Sequence, residues 1–257
     1  MNIQILISTM NKKSISDLNL KEKNINIDTI IVNQTDNYDI SIEKNIKMNN
    51  YKEIGLSKSR NRALENATND ICIISDDDVH YIQNFEKLVL DAFEENKDAD
   101  IITFKIKTPE GKKFKEYRDE KFEHNKRSIL KVSSIEVAFK LKSIKDKNIK
   151  FDENFGLGGI YTSGEENIFL MDCINNGLKI IYIPITIAIH EKESSGRILD
   201  EKTIYSKGAL FYRLFGIKSI YLNLGFILKK SKEIKVSILK AIYLIYKSNI
   251  AYIINNR

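Results

Sequence analysis

The sequence predicts an α/β fold, in which a mainly parallel sheet is flanked by helices and followed by a C-terminal helical extension. Short, nearly continuous runs of apolar and β-branched residues predict buried strands at 3–8, 28–33 and 70–75. Amphipathic spacing predicts helices at 57–67 and 85–96. Strands and helices that alternate in this order are typical of a parallel sheet with right-handed crossovers.

The middle of the chain breaks this order. Alternating apolar and polar residues at 101–107 and 112–117 flank the turn sequence TPEG, and they predict a hairpin on the edge of the sheet. A further alternating run covers 135–141. These segments therefore add antiparallel structure to the predicted sheet.

Helical spacing returns at 165–175, and Gly177 suits the end of that helix. A further buried strand is predicted at 179–183. Pro184 follows it, and a short extended run then ends at His190.

The net charge of +6 is unevenly distributed. Residues 203–257 contain ten basic residues and one acid, Glu233, whereas residues 1–202 carry an excess of acid. We therefore predict a domain at 1–202 and a basic, aromatic helical extension at 203–257. A protein whose main partner is nucleic acid usually carries a basic face on its core fold, so the charge distribution argues against that class.

Cellular context is indicated by three features of the sequence. Cys72 and Cys173 lie in apolar runs without metal-ligand spacing, which is typical of buried reduced thiols. The N-terminus lacks the pattern of a signal peptide, and no run reaches the ~18 apolar residues of a spanning helix. We expect a cytoplasmic protein whose basic extension either binds an anionic membrane surface or caps the domain.

Three consecutive carboxylates, Asp76, Asp77 and Asp78, follow the predicted strand at 70–75. Ligands of open α/β sheets bind at the carboxyl ends of the strands. Adjacent carboxylates repel one another unless a cation neutralises them, and Mg²⁺ and Mn²⁺ prefer oxygen ligands. The motif therefore predicts a divalent metal site, with a solvated acidic loop as the alternative.

Glu165 and Glu166 begin the predicted helix at 165–175, directly after the loop GLGGIYTSG. Glycines allow a backbone to approach a ligand closely, and a carboxylate there can accept a proton from a hydroxyl group. The alternative is that acids occupy a first helical turn for electrostatic reasons alone. His190, at the end of an apolar run, is either a structural residue or a metal ligand.

The order of the segments SKSRNRALENA, ISDDDV, GLGGIYTSGEEN and IPITIAIH resembles inverting family-2 glycosyltransferases with the GT-A fold. The resemblance covers roughly residues 1–195. It implies an Ala-Arg-Asn-like segment, a DXD motif, and a glycine-rich loop that ends in an acidic pair. It also implies transfer of a sugar from a nucleotide diphosphate donor, expected to be a UDP-sugar, to a saccharide or lipid-linked acceptor hydroxyl.

The resemblance also implies roles for individual residues. Glu166 is the implied general base, with Glu165 as the alternative. The implied ligands of Mn²⁺ or Mg²⁺ are Asp76, Asp78 and His190. The implied contacts with the nucleotide-sugar are Thr9, Asn33, Asp36, Arg60, Asp76, Asp77 and Gly158.

Two other functions stay open at this point. A nucleotidyltransferase also uses paired aspartates and Mg²⁺, but it usually carries an N-terminal glycine-rich phosphate loop, and the segment Ser8-Thr9-Met10-Asn11 has no glycine. A non-catalytic nucleotide-sugar binding protein of the same fold is expected to have lost the carboxylates, which this chain retains.

Overall fold

The computed structural model describes residues 1–36, 40–191 and 199–255. Contacts within the chain define two compact units, and each is described by itself. The first comprises Met1–Ile54, Lys58–Phe151 and Phe169–Lys192, and the second comprises Gly55–Ser57, Asp152–Ile168 and Glu193–Arg257. The second unit thus includes the glycine-rich loop as well as the basic extension. The boundary after residue 202 stays a prediction.

The first unit contains a 10-stranded sheet. Its strands are β1 (Ile3–Met10), β2 (Thr29–Gln34), β3 (Ile40–Glu43), β4 (Ile46–Tyr51), β5 (Ile71–Asp76), β6 (His80–Tyr81), β7 (Ile101–Lys107), β8 (Phe122–Glu123), β9 (Val137–Lys140) and β10 (Ile180–Ile189). Their order is β3-β4-β2-β1-β5-β9-β7-β10-β6, and β8 pairs with β10. Strands β4, β2, β1 and β5 run parallel, and β10 runs parallel to β7. The fold is therefore of the predicted α/β class, with antiparallel pairs towards both edges of the sheet, between β3 and β4 at one and among β5 to β10 at the other.

The helices of the chain are α1 (Leu56–Asn66), α2 (Phe85–Glu95), α3 (Leu141–Asp146), α4 (Glu165–Asn175), α5 (Glu201–Phe215), α6 (Ser219–Lys230) and α7 (Ile238–Asn255). The helices predicted at 57–67, 85–96 and 165–175 are confirmed within one residue at each end. No helix in the described part of the chain is long and apolar enough to cross a membrane.

The main core lies on the face of the sheet that α2 covers. Val89 and Phe93 of α2 are fully buried there with Ile73 of β5 and Phe104 of β7. Fully burying such a side chain contributes roughly 1.5–3 kcal/mol. The first unit also contains a stacked aromatic pair outside this core. The rings of Phe151 and Phe169 lie with their centroids 4.4 Å apart.

Two expectations about the strands are corrected. The hairpin predicted from 101–107 and 112–117 is wrong, because β7 lies inside the sheet between β9 and β10 and the second segment contributes one isolated bridge, Lys107 to Lys113. The runs on either side of Pro184 form one strand, β10, whose pairing with β7 shifts register between Tyr182 and Thr186. Such an irregularity accommodates a proline, which cannot donate a ladder hydrogen bond.

In the second unit, α5 and α7 pack closely at Gly208. A Cβ atom built on Gly208 would collide with the Ile245 carbonyl oxygen and the Ser248 hydroxyl. Ile204 of α5, Ile227 of α6, and Ala241 and Ile245 of α7 form a buried apolar cluster. The helix α5 begins at the cap residue Asp200, whose carboxylate accepts a hydrogen bond from the Thr203 amide at 2.9 Å.

Candidate active site

Parallel pairing brings the predicted ligand residues to one edge of the sheet in the first unit. Thr9 is paired with Asn33 in the register of β1 and β2, and Ser8 is paired with Asp76 in the register of β1 and β5. The carboxyl ends of these three strands therefore meet. This is the position at which open α/β sheets bind their ligands.

Asp77 holds this edge together. Its carboxylate accepts a hydrogen bond from the Thr9 hydroxyl at 2.6 Å and lies 3.2 Å from the Lys12 ammonium. The Lys23 ammonium donates to its backbone carbonyl at 2.5 Å. Because both its carboxylate and its carbonyl have protein partners, Asp77 fixes the acidic loop against the end of β1.

Arg60 and Asp76 form an ion pair at 3.1 Å. The guanidinium is almost fully buried, with 3% of the residue exposed, and it also donates to the Ser134 hydroxyl at 2.9 Å. It lies over the ring of Phe151, 5.6 Å from the ring centroid. A buried charge is strongly unfavourable without such partners, so Arg60 and Asp76 hold each other in place.

Asp78 and His190 lie side by side, with 3.1 Å between the carboxylate Oδ1 and the imidazole Nε2. The other ring nitrogen, Nδ1, donates to the Glu191 carbonyl at 2.6 Å. Nε2 therefore faces the carboxylate, and either a proton or a cation must lie between the two groups. In the absence of a cation, their hydrogen bond lowers the pKa of Asp78 and raises the pKa of His190.

This pair fits a divalent cation. Among the described residues, no group of three or more His, Cys, Asp or Glu side chains is placed to hold a metal ion. A full protein cage is not required, because Mg²⁺ is usually bound by one or two carboxylates together with water and substrate phosphates. Asp78 and His190 supply one oxygen and one nitrogen ligand, a donor set that Mn²⁺ also accepts.

Asn33 and Asp36, the other residues assigned to the nucleotide, have different surroundings. The side chain of Asn33 is buried. Its Oδ1 accepts a hydrogen bond from the backbone N–H of Lys12 at 3.1 Å, and its Nδ2 donates to the backbone carbonyl of Lys12 and to Oδ1 of Asn50 at 2.8 Å each. Asp36 is exposed, and its carboxylate lies 3.6 Å from the Lys52 ammonium. Asn33 thus shapes the loop after β1, whereas Asp36 presents a carboxylate to solvent.

The glycine-rich loop of the second unit packs tightly on Glu165. Gly156 has a φ of 99°, and a Cβ atom there would lie 3.2 Å from both Glu165 Cδ and Ser57 Oγ. The Ser57 hydroxyl donates to the Phe155 carbonyl at 2.6 Å, and the Leu56 amide donates to the Leu157 carbonyl at 2.8 Å. Gly158 also has a positive φ, of 80°. Glycine is thus required where this loop turns over the start of α4.

Glu165 and Glu166 differ in their exposure. Glu165 is buried, with 6% exposed, whereas Glu166 is only partly buried. The ammonium of Lys207 on α5 interacts electrostatically with both carboxylates. Burial is the main influence on that lysine and lowers its pKa, while the two glutamates act in the opposite direction. Glu166 is therefore the carboxylate of this pair that is accessible to a substrate.

Several contacts in these groups could not be predicted from the sequence. Lys12, Lys23 and Ser134 are ordinary polar residues in loops or turns, and only the folded chain brings them to Asp77 and Arg60. Asn61 is different, since it directly follows Arg60 in the segment SKSRN. Its side chain forms hydrogen bonds with both the backbone N–H and the backbone carbonyl of Phe151, whose ring lies under Arg60. Its place in the same segment as Arg60 could therefore have indicated that it helps to build this site.

The glycosyl transferase family 2 model matches residues 31–159, which is half of the chain. The chain therefore belongs to glycosyltransferase family 2, as the resemblance implied. None of the curated protein sequences matches it significantly.

Solved structures of S. aureus TarS have the same fold. TarS 1–349 in complex with UDP has a TM-score of 0.61 and 17% identity, covering 96% of this chain and 81% of that one. TarS 1–349 in complex with UDP-GlcNAc has a TM-score of 0.59 and 18% identity, covering 90% and 74%. A longer TarS structure has a TM-score of 0.58 at 17% identity, and the match covers 91% of this chain but only 44% of that chain. At such identities the similarity establishes the GT-A fold.

Proposed function

We propose that the protein is an inverting glycosyltransferase that moves a sugar from a UDP-sugar to an acceptor hydroxyl with the help of a divalent cation. The observation that carries the proposal is the Asp78–His190 pair, which lies at the strand ends of a family 2 chain. The TarS structures support the choice of nucleotide, since two of them are complexes of TarS 1–349 with UDP and with UDP-GlcNAc. Family membership gives the nucleotidyltransferase alternative no support.

The donor is held by the first unit. Asp78 and His190 would hold Mn²⁺ or Mg²⁺, and Arg60 would contribute positive charge near the diphosphate. The bound cation would supply Lewis-acid stabilisation of the charge that develops on the leaving diphosphate. Thr9, Asn33 and Asp77 shape the strand ends that would receive the nucleoside, and the exposed Asp36 would contact its polar edge.

Glu166 is the general base of the proposed reaction. Glu166 would take the proton of the acceptor hydroxyl as the oxygen forms its bond to the anomeric carbon of the donor sugar. The bond from that carbon to the diphosphate oxygen breaks in the same step, so that the nucleoside diphosphate leaves and the configuration inverts. The buried Glu165 would hold the glycine-rich loop, and Gly158 of that loop would line the donor sugar.

The experiment that tests this function is a thermal-shift panel of nucleoside diphosphates and nucleotide-sugars, with and without Mn²⁺. A ligand that binds only the native state raises the melting temperature. We expect a shift with UDP that requires the metal and is lost in Asp78→Ala. Asp146→Ala, which removes an exposed carboxylate ion-paired with Lys142, is the matched control and should behave as wild type. A wild-type protein that no nucleotide stabilises would contradict the proposal.

We also propose that α6 and α7 bind an anionic membrane surface, on the cytoplasmic side where a lipid-linked acceptor would be found. Tyr221, Leu224 and Leu228 form an exposed apolar stripe on α6. Leu239, Tyr243, Ile250 and Ile254 form a second stripe on α7, with Tyr221 and Leu239 each 81% exposed. Apolar and aromatic side chains with lysines nearby are typical of helices that lie in a membrane interface.

Vesicle co-sedimentation tests the membrane proposal. We expect binding to vesicles of phosphatidylglycerol and phosphatidylcholine, weaker binding to phosphatidylcholine alone, and loss of binding in the double variant Leu239→Ser/Tyr243→Ser. The control, Ile40→Ser/Ile42→Ser, removes two exposed apolar residues from β3 of the other unit and should bind as wild type. Equal binding by the double variant and the control would show that α7 does not contact the membrane.

A further inference from the structure

The segment between β7 and β9 covers a cavity of about 370 Å³ in the first unit. This volume lies within the range of small-ligand sites, about 300–1,000 Å³. Its walls come from that segment together with Thr103 of β7 and Tyr182 of β10. The residues given roles in the proposed function do not line it, so the cavity is a separate feature of the unit.

Three aromatic rings form much of the wall. Tyr117 and Tyr182 are nearly parallel, with an angle of 4° between their planes and 6.3 Å between their centroids, and Phe122 lies 5.0 Å from Tyr182. The Tyr182 hydroxyl donates to the Arg118 carbonyl, and the Tyr117 hydroxyl donates to the Glu136 carboxylate, each at 2.7 Å. The two tyrosine hydroxyls are fixed, and two cations lie over the rings: the Lys115 ammonium is 5.3 Å from the Tyr117 centroid, and the Arg118 guanidinium is 4.7 Å from the Phe122 centroid. The wall is therefore a rigid surface of aromatic carbon and positive charge, against which the C–H groups of an anionic sugar can pack.

Positive charge surrounds the same cavity. The guanidinium and ammonium groups of Arg118, Arg127 and Lys131 are exposed, and within the described part of the chain they have no carboxylate partner. Of the two acids that line the cavity, Glu136 is already paired with Lys115 at 2.6 Å, which leaves the exposed Glu116. The cavity therefore has an excess of positive charge available to a ligand.

The histidine in the wall is neutral, and both of its ring nitrogens already have hydroxyl partners. His124 contacts the Thr103 hydroxyl at 2.8 Å and the Ser128 hydroxyl at 3.0 Å. Its burial lowers its pKa to about 4, so the ring is uncharged at neutral pH. The cations that attract an anionic ligand are thus the exposed arginines and lysine.

A short turn of the chain connects the cavity wall with the Arg60–Asp76 pair. Arg60 donates to Ser134 at 2.9 Å, and Ser134 begins the short 3₁₀ turn Ser134–Glu136 that ends at the cavity wall. One turn of the chain therefore connects the residues assigned to the donor diphosphate with the cavity.

We propose that this cavity binds an anionic saccharide, which packs on the aromatic wall and pairs its phosphate or carboxylate with Arg118 and Arg127. In the transferase this ligand is the acceptor, a role that rests on the proposed function. The binding itself does not depend on catalysis and is tested separately.

Calorimetric titration tests the proposal with two anionic probes, glucose 6-phosphate and a glucuronate-containing tetrasaccharide. Glucose, maltotetraose and inorganic phosphate are titrated beside them. Saturating UDP and Mn²⁺ are present so that an anion cannot occupy the donor residues. The variant is Arg118→Gln/Arg127→Gln. The control, Lys21→Gln/Lys44→Gln, removes two exposed positive charges from elsewhere in the same unit.

We expect wild type and the control to bind at least one anionic probe saturably, and the arginine variant to bind it at least ten-fold more weakly. Affinity for UDP, measured separately, should be equal in all three proteins. Three results would each overturn the proposal: no saturable binding of either anionic probe, equal affinity in the arginine variant, or binding of inorganic phosphate or neutral sugar as tight as that of the anionic saccharide. Saccharide binding without UDP binding would keep the site and remove its role as an acceptor site.

Discussion

Asp78 and His190 are 112 residues apart in the chain, yet their carboxylate and imidazole lie 3.1 Å from each other. The first ends the acidic motif after β5, and the second follows β10. The antiparallel pairing of β10 with β6, in which Ile189 is the partner of His80, brings the two positions together. This pairing places a loop carboxylate and a strand-end histidine in direct contact.

Replacing His190 with alanine should weaken metal binding without removing the nucleotide site. We expect the half-saturating Mn²⁺ concentration in the UDP thermal-shift assay to rise at least ten-fold, because the cation would lose one of its two proposed protein ligands and keep only Asp78. A Mn²⁺ titration at fixed UDP measures this change. His80→Ala removes an exposed imidazole that lies two residues after Asp78, and it serves as the control. An unchanged Mn²⁺ requirement in His190→Ala would exclude His190 as a ligand.

Replacing Glu166 with glutamine should lower the rate of sugar transfer by about 10²–10⁴, the typical contribution of a general base. The amide keeps the size of the side chain but cannot accept the proton. UDP binding should stay unchanged, since Glu166 has no proposed contact with the nucleotide. Steady-state transfer rates at saturating donor and acceptor, with UDP affinity measured in parallel, test this.

Glu165→Gln is the matched variant for the Glu166 experiment. Glu165 is buried against Gly156, so its replacement should lower the melting temperature more than that of Glu166→Gln does. If Glu165→Gln abolished transfer while Glu166→Gln kept the wild-type rate, the role of general base would belong to Glu165.

Replacing Gly208 with alanine should destabilise the second unit by about 1–3 kcal/mol, the usual cost of forcing an extra group into a packed site. The new Cβ would meet the backbone of Ile245, which cannot rotate away, so α5 and α7 must separate. Gly225→Ala is the control, because nothing lies within 4 Å of a Cβ there and α6 should gain about 0.5–1 kcal/mol. Urea unfolding of both variants measures the difference, and a stable Gly208→Ala protein would contradict the packing described.

The parallel half of the fold could be predicted because its strands are buried on both faces. The runs that became β1, β2 and β5 are almost wholly apolar, and their ends locate the acidic motif at the sheet edge. Strands β3 and β4 were missed, since segments such as IKMNNY at Ile46–Tyr51 are largely polar and form by pairing rather than by burial. Local sequence carries little information about such largely polar strands.

The candidate site was predictable as a set of residue types but not as a set of contacts. The sequence placed Asp76, Asp77 and Asp78 in one motif, yet their partners differ: Arg60 for the first, Thr9 and Lys12 for the second, and His190 for the third. Each partner comes from a different strand end or helix. Such long-range pairings depend on the sheet order, which includes the antiparallel strand β9 between β5 and β7.

The stability of the first unit should fall as the pH drops from about 6.5 towards 4, and His124 should account for part of this loss. Burial lowers the pKa of His124 from 6.5 to about 4 in the folded protein. Between these two values the unfolded chain binds the proton more readily than the folded protein does, so acid favours unfolding. A shift of this size corresponds to roughly 3 kcal/mol at most, because one pKa unit is worth about 1.4 kcal/mol.

The variant His124→Gln tests this assignment, because it keeps a hydrogen-bonding side chain but cannot titrate. Its free energy of unfolding, measured in urea at pH 4.5, 5.5 and 7.0, should depend less on pH than that of wild type, with the two curves converging towards acid. The variant should be the less stable protein at pH 7.0, where the neutral ring keeps its contacts with Thr103 and Ser128. His80→Gln, at an exposed position, should follow the wild-type curve. Parallel curves for His124→Gln and wild type would show that another group carries the acid sensitivity.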